Sequence, residues 1–166
     1  CIFNDAVLAI QRLLETHGVD RVAYVDVDAH HGDGVQNAFA STDRVLTISL
    51  HESGEYLFPG TGGVDEMGSG KGEGYAVNVP LAPTTDDEIY LDAFREVVPP
   101  LVRAFGPDVL VTQLGIDSHR DDPLTHLALS SAGHAAIVDE FKRLSPGRWL
   151  ALGGGGYDMS AVARCW

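Results

Sequence analysis

The stretch VDVDAHHGDG, Val25 to Gly34, carries three aspartates and two histidines within eight positions, directly behind the apolar run Val22-Ala23-Tyr24-Val25. Carboxylate oxygens and imidazole nitrogens are donors that zinc accepts at about 2.0–2.2 Å, and a catalytic zinc uses three protein ligands while leaving a position for water. In an extended chain, residues two apart share a face, so Asp28 and His30 can aim one oxygen and one nitrogen at a single point. A third ligand must come from elsewhere. Asp117, in QLGIDSH, is the candidate because it also follows an apolar run. Asp and Gly follow strands simply as turn formers and helix caps too, and Asp33 alone reads as a cap for a helix starting near Val35. For Asp26, Asp28 and His30 together that reading fails, since several ionisable groups at the edge of an apolar sheet are costly without a cation.

Such residues need a scaffold that delivers strand ends to one place. Residues 21–28, 44–51, 75–81, 108–115 and 148–154 are short runs rich in Val, Leu, Ile and aromatics, the pattern of strands buried on both faces. Residues 4–17 place apolar side chains at helical spacing after an Asn/Asp start, and Gly18 closes the segment. Residues 86–105 and 131–144 carry the helical pattern as well, and 52–74 is a long glycine-dense loop. Strand and helix in alternation predict an α/β fold with a parallel sheet, whose functional groups gather at the carboxyl ends of the strands.

Composition sets the surroundings. The 166 residues are 45% hydrophobic and 21% charged, an ordinary globular balance for one domain or part of one. A net charge of -13 with 11 Lys and Arg works against nucleic acid or anionic membrane as a partner and favours a cationic substrate. Cys1 and Cys165 stand at opposite ends without C-x-x-C spacing, which argues for neither a disulfide framework nor a thiolate metal site and fits a reducing cytoplasm.

The segments YVDVDAHHGDGVQNAF, TISLHESGEYLFPGTGG, GKGEGYAVNVPL, QLGIDSHRDDPLTHLALS and LGGGGYDMSAVARCW resemble, in order, the signature segments of zinc-dependent histone deacetylases of the class I type. GIDSHRDDPLTHL is nearest to the bacterial acetoin-utilization branch. The resemblance implies an arginase-like three-layer α/β fold and hydrolysis of an acetyl amide on a lysine-type amine. It makes Asp28, His30 and Asp117 the zinc ligands and points the Tyr157 hydroxyl at the substrate carbonyl, where a phenol donor opposite a Lewis acid stabilises the developing oxyanion. Asp26 and Asp33 then each accept a ring N–H from one member of a histidine pair. A potassium ion is implied at the Asp26 carboxylate, the Ser49 hydroxyl and the carbonyls of Asp28, His30 and Leu50, and a second near the carbonyls of Phe39, Thr42, Val45 and Tyr75. Phe58, Leu124 and Gly155 would line a narrow apolar channel for the lysine stem, although Phe58 and Leu124 could equally fill the core. His31, His51, His119 and His126 carry no assigned chemistry.

Other readings fit less well. Arginase-like ureohydrolases bind two manganese ions through a second D-x-D pair, but the matching place here is Asp117-Ser118-His119. A phosphate-binding loop ending at Gly70-Lys71 would need Gly at position 65 and Ser or Thr at 72, where Asp65 and Gly72 stand. A dinucleotide fingerprint from Gly153 meets Asp158, and no G-x-S-x-G is present. A metal-binding pseudoenzyme that holds acetylated ligands is the non-enzyme alternative. In the family, an adjacent histidine pair and a Gly-Phe lie shortly before the segment resembling CIFND. The expectation is therefore that residues 1–166 are the central part of one catalytic domain, with the general acid/base outside them and no activity alone.

Overall fold

The computed structural model describes residues 3–16 and 18–166. Five parallel strands, β1 (Val22–Asp26), β2 (Val45–Glu52), β3 (Ala76–Leu81), β4 (Val109–Gln113) and β5 (Trp149–Leu152), form one sheet in the order β3-β2-β1-β4-β5. The five predicted strands are all present, each starting one residue later than expected; β1, β4 and β5 also end two residues early, and β2 runs one residue further, to Glu52.

Alternation along each strand divides the core in two. Ala23 and Val25 of β1, Leu46 and Ile48 of β2 and Leu110 of β4 pack under the helices α3 (Asp87–Phe105) and α4 (Ser131–Leu144) through Tyr90, Phe94, Val98, Ile137 and Phe141. On the opposite face Val22, Tyr24, Val109 and Val111 meet Ala6 and Ile10 of α1 (Asp5–Leu14), and Val35 and Phe39 of α2 (Asp33–Phe39). The result is the three-layer α/β arrangement expected, with apolar residues on both faces of the central strands.

Local signals set the helix ends. Asn4 caps α1 by accepting the Val7 N–H at 3.0 Å, and α1 ends at Leu14, short of the predicted residue 17. His17, like Cys1, lies outside the described residues. The expected cap at Asp33 is not made: Asp33 is the first residue of α2, Gly32 occupies the cap position, and no side chain satisfies that end. The chain closes with α5 (Met159–Cys165), capped by Asp158.

Strand order positions the site. The chain winds outward from β1 through β2 to β3, then crosses back to β4 on the other side of β1. The carboxyl ends of β1 and β4 are thus neighbours whose outgoing loops diverge, which is where open parallel sheets bind ligands.

Candidate metal centre

Asp28 and His30 follow β1, and Asp117 follows β4; one ligand atom from each lies within 4.8 Å of the other two. The prediction that Asp28 and His30 converge by strand alternation is corrected here, because β1 ends at Asp26 and residues 28–30 are bent. Two successive Asx turns bring them together instead: Asp26 Oδ1 accepts the Asp28 N–H at 3.0 Å, and Asp28 Oδ1 accepts the His30 N–H at 2.9 Å. Asp117 Oδ1 accepts the Ala29 N–H at 2.8 Å, locking the β4 loop onto the bend. His30 Nδ1 then lies 2.8 Å from Asp117 Oδ2 and 3.1 Å from Asp28 Oδ1.

This is a compact anionic pocket that calls for a cation. Asp117 is fully buried and Asp28 nearly so. Hydrogen bonds to Asp117 and then Asp28 push His30 up to about 10. Burial, together with the charge of Asp28, raises Asp117 to about 6. Burial opposes the charge of Asp28 too, but hydrogen bonds involving His30, Asp117 and Gln113 outweigh it and hold that carboxyl below its usual range. Two carboxylates and one imidazole converge in the pocket, and this donor set of two oxygens and one nitrogen fits zinc.

Two supporting groups were not legible in the sequence. Gln113 donates its amide N–H to Asp28 Oδ2 at 2.8 Å while its carbonyl accepts the Gly115 N–H at 2.6 Å. Gly155 donates its N–H to the same Asp28 Oδ2 at 2.7 Å. Gly155, expected at the substrate channel, lies against the carboxylates: a Cβ there would sit 2.6 Å from Asp117 Cγ and 3.0 Å from Asp28 Oδ2. Outer hydrogen bonds of this kind orient metal ligands.

A cleft of about 330 Å³ opens over the pocket, lined among others by Asp28, His30, Asp33, Phe58 and Tyr157. Phe58 is 79% exposed and Leu124 53% exposed, so neither fills the core; Phe58 lines the cleft and Leu124 does not. The Tyr157 phenol is raised by burial and by the charges of Asp117 and Asp28, which keeps it a protonated donor.

Asp26 is buried, with Oδ2 accepting the Tyr24 hydroxyl at 2.7 Å, and burial followed by the charge of Asp28 raises its carboxyl well above the usual range. Asp26 is in register with the buried Ser49 of β2, so two oxygen donors stand on neighbouring strands and fit a hard cation.

The histidines without assigned chemistry are hydrogen-bonded within the fold. His31 Nδ1 meets Thr61 Oγ1 at 2.8 Å and its Nε2 meets Gln36 Oε1 at 3.1 Å, while His51 bridges Ser49 Oγ at 2.9 Å and the Gly62 carbonyl at 3.1 Å. The buried Glu52 accepts both the N–H of His126, at 2.7 Å, and its Nδ1 side at 2.8 Å.

An α/β protein whose described residues bring Asp, His and Asp together at the crossover of its parallel sheet is the class that fold and site define. The chain belongs to the histone deacetylase family: the model of the histone deacetylase domain matches residues 1–166. It is 46% identical over 175 residues to the acetoin utilization protein AcuC of Bacillus subtilis, covering 100% of this chain and 44% of that protein. It is 49% identical over 166 residues to histone deacetylase 1 of Homo sapiens, covering 100% of this chain and 34% of that protein. The crystal structure of a histone deacetylase homologue from Aquifex aeolicus superposes with a TM-score of 0.95 at 39% identity, over 100% of this chain and 44% of that one. The chain thus spans less than half the length of these relatives.

Proposed function

We propose that residues 1–166 form the central part of a single catalytic domain that hydrolyses the acetyl amide of a lysine-type amine, with one zinc held by Asp28, His30 and Asp117. The observation that carries this reading is the convergence of these three ligands beneath a cleft that Tyr157 also lines. When bound, zinc supplies Lewis-acid polarisation of the acyl carbonyl and a lowered pKa for the attacking water. Tyr157 donates its phenol proton in a hydrogen bond to the acyl oxygen as negative charge develops there. Phe58, which lines the cleft, flanks the lysine stem, and the net charge of -13 favours a cationic substrate.

Asp26 and Asp33 orient a histidine pair supplied from outside these residues, which takes the proton from water and returns it to the departing amine. Asp26, Ser49 and the Leu50 carbonyl would hold a potassium ion, and the carbonyls of Phe39, Thr42, Val45 and Tyr75 would hold a second. A single zinc, rather than a dinuclear centre, is supported by the residues after Asp117. Ser118 Oγ faces the Val27 carbonyl and His134, and His119 Nε2 faces Ser131 Oγ at 3.3 Å, so neither is directed to the pocket.

The test is Asp117→Ala in the full-length protein, assayed for bound zinc and for acetate release from an acetyl-lysine peptide. Both are expected to be lost together. Two metal ions per chain in the unaltered protein would favour a dinuclear hydrolase, and zinc binding without acetate release would favour a pseudoenzyme.

A further inference from the structure

We propose that Asp122 is a positioning residue that fixes Tyr157 for catalysis by tying its backbone to the loop at Leu124, an inference that rests on the deacetylase reading of Tyr157. The tyrosine follows four glycines, and Gly156 adopts φ +144, a conformation open mainly to glycine. A chain this permissive does not place a side chain by itself. The Tyr157 N–H donates to Asp122 Oδ2 at 2.8 Å, across 35 positions of sequence, and the other oxygen, Oδ1, accepts the Leu124 N–H at 2.9 Å.

The contact to Leu124 is a local Asx turn, which a serine or asparagine would also make. The contact to Tyr157 is not needed for that turn. A carboxylate only 7% exposed, with each oxygen on a different backbone N–H, makes two charge-assisted bonds that hold both segments in one geometry. Neighbouring contacts reinforce the junction. Asp121 pairs with Arg164 of α5 at 2.8 Å, and Asp158, directly after Tyr157, accepts the Ala161 N–H at 2.7 Å. On the other side, the Thr125 hydroxyl donates to the Asp117 carbonyl. The Asp122 carboxylate thereby ties the tyrosine to the loop that follows Asp117, and Thr125 ties that loop to Asp117 itself.

The experiment is a double-mutant cycle in the zinc-loaded full-length protein, measuring kcat and KM on an acetyl-lysine peptide together with bound zinc. Asp122→Asn keeps the shape but turns an NH2 group toward one of the two N–H donors. It is expected to lower kcat by about tenfold to a hundredfold, the effect of displacing a reacting group by roughly 1 Å, with zinc content unchanged. In a Tyr157→Phe background it is expected to lower kcat no further. A second, independent loss in that background would overturn the proposal, since a general structural defect acts whether or not the phenol is present. Replacing the Tyr157 amide by an ester, which removes the N–H donor and keeps the side chain, is expected to reproduce the loss, and an unchanged kcat there overturns the proposal even if Asp122→Asn does not fold. If Tyr157→Phe alone leaves kcat intact, the reading of Tyr157 fails and the proposal with it. Sensitivity to Tyr157→Phe without sensitivity to Asp122→Asn or the ester overturns only the positioning role.

Discussion

Gly155→Ala perturbs the metal centre without replacing any ligand. The added Cβ would lie 2.6 Å from Asp117 Cγ, whereas ordinary carbon contacts lie near 3.5–4.0 Å, so one side must retreat by about 1 Å. Asp117 has little room to do so. It is fully buried, and its oxygens are engaged by the Ala29 N–H at 2.8 Å and His30 Nδ1 at 2.8 Å. If Gly155 moves instead, it gives up its hydrogen bond to Asp28 Oδ2 at 2.7 Å and the one its carbonyl accepts from the Ile116 N–H at 2.7 Å. Metal sites hold ligand distances to within about 0.2 Å, and loss of an outer hydrogen bond alone lowers metal affinity by about 10–100-fold. The expected effect is a zinc affinity lower by about 100-fold, roughly 3 kcal/mol. Competition against a chromogenic chelator measures it. Gly153→Ala is the control in the same glycine run, because a Cβ there meets Trp166 Cζ2 at an ordinary 3.7 Å. Equal zinc affinity in the two variants would refute the close-approach reasoning.

Tyr157→Phe is expected to lower turnover by about 10²–10³ with zinc retained, as for loss of one oxyanion donor; acetate release and metal analysis on the same preparation check this. Residues 1–166 alone, loaded with zinc, are expected to release no acetate. Of the described histidines, His30 and His31 line the cleft; His30 is directed into the pocket, and both ring nitrogens of His31 are engaged by Thr61 and Gln36. Acetate release above a metal-free control would show that the general base lies within the chain. Stability is expected to fall between pH 6.5 and 4 through His134, which burial, and next the nearby His119, lowers from 6.5 to about 4. Above pH 6.5 the ring is neutral in both folded and unfolded chains. As the pH drops, the unfolded ring binds a proton that the folded ring refuses, which costs about 2 kcal/mol by pH 5 and about 3 kcal/mol by pH 4. Denaturant melts at pH 7.5 and 5 should show a smaller loss for His134→Phe than for the unaltered protein; equal losses would count against the assignment.

The sequence by itself carried the elements and the donors. The apolar runs of β1, β2 and β4 are buried on both faces, so their composition alone marked them as inner parallel strands. Asp28, His30 and Asp117 were legible because ionisable groups directly behind such strands have no inexpensive structural explanation. Tertiary structure decided how they meet. Strand order put the ends of β1 and β4 side by side, and Asx turns, not strand alternation, turned Asp28 and His30 toward one point. It also decided the supporting roles. Gln113 and Gly155 against Asp28, Asp122 against Tyr157 and Glu52 against His126 are each separated by dozens of residues. A local pattern encodes which side chains a segment offers and which face they share; the partner across such a gap is set only when packing of the sheet and its helices brings distant loops to the same strand ends.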